Sequence, residues 1–196
     1  MSELDDVFTA DETDEFIRLL KKIQEHGYWV PSLKAWQEVQ RTFSRWAIEF
    51  VITSIDEYGS PRIFLTRYDG EGIPAYRGQY HLPGGFERLP ESIEETCSRV
   101  AREELGGDVK YRGILGIHKW TNDESPVGSH LLSVYAVVEP MAEITISADQ
   151  RFFTRNEVLA LNSKEMASQH PHRIFIDQYL SSVESGITVE PITLGF

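Results

Sequence analysis

The chain is short of cysteine, of basic residues and of long apolar runs, and each shortage excludes something. Cys97 is its single cysteine, so no disulfide forms within the chain and a reducing compartment, the cytoplasm, is the expected setting. Lys and Arg number 19 against 31 Asp and Glu, a net charge of −12. Such a surface repels a nucleic-acid backbone and argues against a long polyanionic partner. A small anion is still admissible where a divalent cation screens it. No apolar run approaches the ~20 residues of a membrane span, so no membrane partner is expected. The start, Met1 to Asp6, has neither a basic nor an apolar stretch, and no secretory leader is expected. Seven carboxylates and no basic residue lie between Glu3 and Glu15, which reads as a solvated end.

What remains is ordinary for one globular domain: 196 residues, 41% hydrophobic and 26% charged. Phe16, Leu19, Leu20 and Ile23 recur at helical spacing over Asp14–Glu25, and Pro31–Phe43 can form a second helix. Trp46–Ser54 and Arg62–Tyr68 read as strands around the turn Tyr58-Gly59-Ser60-Pro61. Tyr80-His81-Leu82 is a short strand running into Pro83-Gly84-Gly85. Val109–Trp120 and His130–Val138 are apolar-rich, with polar loops at 69–78 and 121–129. Arg155–Leu161 and Arg173–Val183 look helical. Strands interrupted by helices point to an α/β sandwich with helices on both faces of a mixed sheet. Residues 1–45 form an acidic, helical extension, 46–183 the main domain and 184–196 a tail. The extension can cover a cleft or make a homodimer contact.

Between the third and fourth strand-like segments lies a helix with signals at both ends. Ser92 and Glu95 have capping-box spacing, and Gly106-Gly107 supply a stop. At ~100° per residue, Ile93, Cys97, Val100, Ala101 and Leu105 make an apolar stripe. Glu104 falls inside that stripe, and Glu103 lies just beyond it, beside Thr96 and Arg99. A carboxylate on a buried face needs a guanidinium or a cation. Hard cations such as Mg²⁺ take oxygen ligands and bridge carboxylates to phosphates.

Gly85, Glu91, Arg99, Glu103, Glu104 and Gly106 also hold a fixed spacing. This resembles the Nudix box, Gly-x5-Glu-x7-Arg-Glu-U-x-Glu-Glu-x-Gly-U, with U a bulky aliphatic residue, and Leu82-Pro83-Gly84 is typical of the strand entering it. Phe152–Val158 looks like the family's segment before a short late helix. The resemblance reaches from about Trp46 to Leu180 and implies the Nudix α/β/α sandwich with a mixed sheet. It departs at Val100, where the family has glutamate, at Ala101 and at Gly107. The missing glutamate commonly binds metal in the family and is often assigned to activating the attacking water.

By resemblance, Gly84 (through its carbonyl), Glu103 and Glu104 are metal ligands for Mg²⁺ or Mn²⁺, and Gly85, Glu91 and Arg99 support them. Glu103 and Glu104 then serve catalysis together with a loop base, for which His130, Asp123 and Glu124 are candidates and His130 is preferred. His81, Arg67 and Trp120 are candidate contacts for the substrate, a nucleoside diphosphate linked to another group. His118 is an alternative aromatic or base; His170 and His172, flanking Pro171, read as capping or surface residues. Three functions are consistent with the box: a hydrolase with a reduced metal site, a hydrolase attacking sugar carbon as in the similar GDP-mannose hydrolase branch, or a catalytically inactive nucleotide-binding regulatory domain.

Overall fold

The computed structural model describes residues 9–25, 32, 34–35, 45–68, 76–88, 91–120, 131–144, 146–166 and 170–192. Most of the second expected helix, the loops around 69–75 and 121–130, and with them His130, Asp123 and Glu124, lie outside the described residues. The chain divides into two units, Met1–Trp36 and Gln37–Phe196. The first holds α1 (Ala10–Glu25). It begins earlier than its apolar periodicity indicates because Thr9 caps it: the Thr9 hydroxyl accepts from Glu12 N at 3.3 Å, and the Glu12 carboxylate accepts from Thr9 N at 2.8 Å.

In the second unit the elements follow as β1 (Arg45–Val51), β2 (Thr53–Ile55), β3 (Pro61–Arg67), β4 (Tyr80–His81), β5 (Gly84–Phe86), α2 (Ile93–Leu105), β6 (Val109–Lys119), β7 (Leu131–Pro140), β8 (Gln150–Thr154), α3 (Arg155–Ala160) and α4 (Pro171–Glu184). Two four-stranded sheets form. One has the order β5-β1-β7-β6, and the other joins β2, β3 and β4 with β8 on β3. Among the described strands only β1 and β7 run parallel; the remaining pairs are antiparallel. The β2–β3 turn is tied by Asp56, whose carboxylate accepts from Tyr58 N and Ser60 N at 2.9 and 2.8 Å.

Alternation along β1 creates two cores. Ile48, Phe50 and Ile52 point with Phe64 toward Cys97, Val100 and Ala101 of α2. Val51 points the other way, with Ile63, Leu65 and Tyr135, toward Val158, Ile176 and Leu180 of α3 and α4. Helices thus cover both faces of a mixed-sheet layer. The β8 strand is an addition to the sequence reading: Phe152 and Phe153 enter opposite cores, so its pattern never alternates apolar with polar. The tail is partly pinned, since Ile192 bridges Ile114.

Each helix of this unit has a chemical start. Ser92 and Glu95 exchange bonds of 3.2 and 2.8 Å at α2, Thr154 and Glu157 do the same at α3, and α4 opens on Pro171 behind the N-cap His170. Gly106 closes α2 in the left-handed conformation, φ 69°.

Candidate functional site

The glycine turn and α2 are joined through the outer edge of β5. Phe50 N donates to the Pro83 carbonyl (2.7 Å) and Glu87 N to the Trp46 carbonyl (3.0 Å). In an antiparallel ladder the hydrogen-bonded pairs alternate, so the carbonyls of Gly84 and Phe86, between those pairs, turn away from β1. The Phe86 carbonyl is taken by Arg99, whose Nη2 donates to it at 2.7 Å. The same guanidinium forks onto Glu91 at 2.7 and 2.8 Å and reaches Glu103 at 3.0 Å. Glu91 further accepts from Thr96 Oγ1 (3.1 Å) and Arg88 N (3.2 Å). Burial opposes its ionisation, but Arg99, Thr96 and the Arg88 N–H overcome that and hold the carboxyl below its usual range. Glu91 and Arg99 therefore lock the strand edge to the helix by geometry as well as charge.

The two glycines face opposite ways. Gly84 is the cross-strand neighbour of Glu49. A β-carbon there would lie 2.4 Å from Glu49 Oε2 and 2.5 Å from the Ile48 carbonyl. A β-carbon on Gly85 would meet Val100 Cγ2 at 3.0 Å. One glycine thus admits a carboxylate from β1, and the next admits a valine from α2.

Val100 is 1% exposed and packs in the first core. The carboxylates around it are arranged differently from the helical-wheel expectation: Glu104 is exposed, as is Glu103. They occupy the last turn of α2, where the neighbouring Leu105 still packs against the core, so the angular position of Glu104 does not by itself give burial. Arg88 approaches Glu103 at 3.4 Å, adding to Arg99. Glu103 therefore sits within a basic grip at the rim of the glycine turn.

On the other face of β1 lies a polar cluster whose Glu49 and Ser133 the sequence reading passed over. Glu49 is 7% exposed, flanked in β1 by the apolar Trp46, Ala47 and Ile48 and by Phe50 and Val51. Ser133 Oγ donates to its Oε1 at 3.1 Å and itself accepts from Trp120 Nε1 at 2.9 Å. His172 Nε2 stands 3.4 Å from the same oxygen, at ion-pair distance but without hydrogen-bond geometry. Burial opposes ionisation of Glu49, yet His172, His81 and Ser133 together hold its carboxyl below the usual value. The opposite nitrogen of His172 accepts from Leu82 N at 3.3 Å, which ties the N-terminus of α4 to the segment entering the glycine turn.

His81 joins this cluster: its ring centroid is 6.4 Å from that of His172 and 5.4 Å from that of Tyr68. Trp120 is buried, 5.4 Å from His170 and 5.8 Å from His172. Arg67 is turned elsewhere, its guanidinium 4.5 Å over the Tyr80 ring. The His118 ring meets that of Trp120 at 6.4 Å between centroids. His170 caps α4, accepting from His172 N at 3.2 Å, but neither histidine is a surface residue. Burial, with His172 and His81 nearby, pushes the His170 imidazole down to about 2. The signal for the cluster was one glutamate in Trp46-Ala47-Ile48-Glu49-Phe50-Val51-Ile52.

Comparison with solved structures decides the architecture. A NUDIX hydrolase from Nitrosomonas europaea superposes with a TM-score of 0.55 at 15% identity, over 78% of this chain and 77% of its own. A mutT/nudix family protein from Listeria innocua gives 0.53 at 22% identity, over 74% of this chain and 98% of its own. The chain has the Nudix fold. In sequence, the ADP-ribose pyrophosphatase of Methanocaldococcus jannaschii is 33% identical over 64 residues, 33% of this chain and 37% of that protein. No family model matches the chain.

With the Nudix frame in place, the departure at Val100 acquires a location: it lies beneath the second glycine of the turn, inside the core. Nudix proteins typically use divalent metals. Among the described residues no three His, Cys, Asp or Glu side chains converge as a cation site. The oxygen donors that the family resemblance expected for a hard cation are the Gly84 carbonyl, on the strand edge, and the carboxylates of Glu103 and Glu104, both exposed. That set is incomplete by itself and leaves positions for water or substrate phosphate.

Proposed function

We propose that the chain is a Nudix-type hydrolase that cleaves a nucleoside diphosphate linked to another group, working with a reduced metal site. The observation that carries this reading is the Glu91–Arg99–Phe86 clamp, which fixes the glycine turn against the helix bearing Glu103 and Glu104. A turn so held is worth its rigidity only if something must be placed against it. The partial likeness to an ADP-ribose pyrophosphatase makes ADP-ribose the first substrate to test.

In this reading Gly84, Glu103 and Glu104 hold Mg²⁺ or Mn²⁺, which would supply charge stabilisation to the phosphates during attack by water. The chain's own contribution is positioning. Arg99 and Arg88 restrain Glu103, Glu91 restrains Arg99, and Gly84 presents its carbonyl outward from the sheet edge. The base is assigned to the 121–130 loop, with His130 the preferred residue, since Val100 cannot serve. Substrate contacts are assigned to His81 and Trp120; Arg67, engaged with Tyr80, is a weaker assignment.

A panel of ADP-ribose, nucleotide sugars and dinucleotides, assayed with Mg²⁺ or Mn²⁺, tests the reading. Metal-dependent release of monophosphate that disappears in Glu104→Gln supports it. Release of free sugar with intact nucleoside diphosphate would instead place attack at carbon. One observation favours a second reading, a nucleotide-binding module without turnover: Val100 is fully enclosed where the family's carboxylate stands. Nucleotide binding with silence across the panel would select it.

A further inference from the structure

The helix α1 turns an apolar face outward. Every residue from 10 to 22 is exposed, with Ile17, Leu19 and Leu20 at 43%, 44% and 44%. At ~100° per residue these three fall with Phe16 and Ile23 on one side of the helix. Single helices of about this length are barely stable in water, and most helical stability in proteins comes from covering such a face. The charges of α1 indicate what covers it. Residues 10–17 hold Asp11, Glu12, Asp14 and Glu15 and no base, whereas residues 18–25 hold Arg18, Lys21 and Lys22 against Glu25. Part of this gradient suits the helix's own dipole, which favours Asp11 and Glu12 in the first turn and Lys22 in the last. Asp14, Glu15, Arg18 and Lys21 lie too far in, because that effect fades within one turn of each end. They form a repeat instead. Asp14 and Lys21, like Glu15 and Lys22, are seven residues apart, so each pair lies along one edge of the helix, the first beside Ile17 and the second beside Leu19. Glu15 is held below its ordinary range first by Arg18, which donates to it at 2.6 Å, and further by Lys22 on its own edge.

We propose that α1 is a self-association surface, on which a second copy of the chain lays its own α1 antiparallel, apolar face to apolar face, with Lys21 and Lys22 of each copy beside Asp14 and Glu15 of the other. Antiparallel pairing sets each acidic half against the other copy's basic half along both edges. A parallel pair would set acid on acid and base on base, and like charges side by side are destabilising. A helix of uniformly acidic or uniformly basic character would match only one half of α1, so a second copy is the better-fitting partner. Two chains of net charge −12 repel each other at long range. At physiological ionic strength that repulsion is screened beyond ~8 Å, while the paired edges act at contact. With a length of ~24 Å, the helix offers a small interface, and the dimer belongs to the weak, concentration-dependent class.

Analytical ultracentrifugation of the full chain over about 5–500 µM, at physiological ionic strength, tests this. The wild type should pass from monomer to dimer within that range. Lys21→Glu/Lys22→Glu makes both halves acidic, and Asp14→Lys/Glu15→Lys makes both basic; each should weaken the dimer at least about tenfold. All four changes in one chain exchange the signs and restore antiparallel complementarity, so association should return to within about threefold of the wild type. Circular dichroism on the same samples reports whether α1 stays helical. Should the charge variants lose that helix, Ile17→Ser/Leu20→Ser removes the apolar contact with every charge in place and should abolish the dimer. A wild type that is monomeric throughout, a dimer indifferent to either double reversal, or a helical fourfold variant that does not recover overturns the proposal. A dimer that survives Ile17→Ser/Leu20→Ser pairs through another face and overturns it as well.

Discussion

Replacing Arg99 by Ala removes the clamp between the strand edge and α2, and the cost can be worked from its contacts. The guanidinium makes two bonds to Glu91, one to the Phe86 carbonyl and one to Glu103. Its side chain is 17% exposed and that of Glu91 is 21% exposed. Exposed ion pairs contribute about 0–1 kcal/mol, whereas stranding one partner of a buried pair costs about 3–5 kcal/mol. Arg99 sits toward the buried end, so Arg99→Ala should cost ~2–3 kcal/mol. For a domain of this size that is a fall in Tm of roughly 5–10 °C. The pH dependence has a definite sign. The folded carboxyl of Glu91 is held below its unfolded value, about 4.3. Its contribution is therefore complete above that value and is lost as pH falls through the lower folded one. The difference between wild type and variant should be largest near neutrality and shrink on acidification below about pH 4. Thermal denaturation followed by circular dichroism across that range is the assay. A neutral-pH shift within about 2 °C, or a gap that widens in acid, would refute the clamp.

Other positions give sharper contrasts. Val100→Glu places a carboxylate in the core and should cost about 3–5 kcal/mol without metal. Part of that should return with Mn²⁺ in Val100→Glu but not in Val100→Gln, as read from melting curves with and without the ion. Gly84→Ala should destabilise more than Gly85→Ala. The first meets a backbone carbonyl at 2.5 Å and the second a valine methyl at 3.0 Å, about 2–3 against about 1 kcal/mol in urea titrations. Cys97 is buried and its thiol is pushed up to about 12 by burial and Glu94. It should stay unreactive toward a disulfide reagent at neutral pH until the chain unfolds.

What could be read from the sequence tracks how local each signal is. The α2 boundaries were legible because Ser92, Glu95 and Gly106 are cap chemistry, decided within one turn of chain. The start of α1 was signalled in the same way by Thr9 and Glu12, but the apolar period drew attention to Asp14 instead. The hairpin at Asp56–Ser60 followed from turn residues. Phe152 and Phe153 hid β8, because adjacent apolar residues that pack into opposite cores leave no alternation to detect. Glu104 misled because a helical wheel gives the angle of a residue but not how far the packing partners extend along the helix. Glu49, Ser133, His81 and His172 lie far apart in sequence and meet only through the β1–β5 and β1–β7 registers and the docking of α4. No spacing rule reaches across that many elements, so the cluster became visible only in three dimensions.

The most direct test of the account is ADP-ribose hydrolysis titrated with Mg²⁺ or Mn²⁺, in the wild type and in Glu103→Gln/Glu104→Gln. The account predicts metal-dependent release of AMP by the wild type and loss of that activity in a variant that melts normally. Turnover that survives in the folded double variant would contradict the assignment of the metal site, and metal-independent turnover would contradict the proposed chemistry itself.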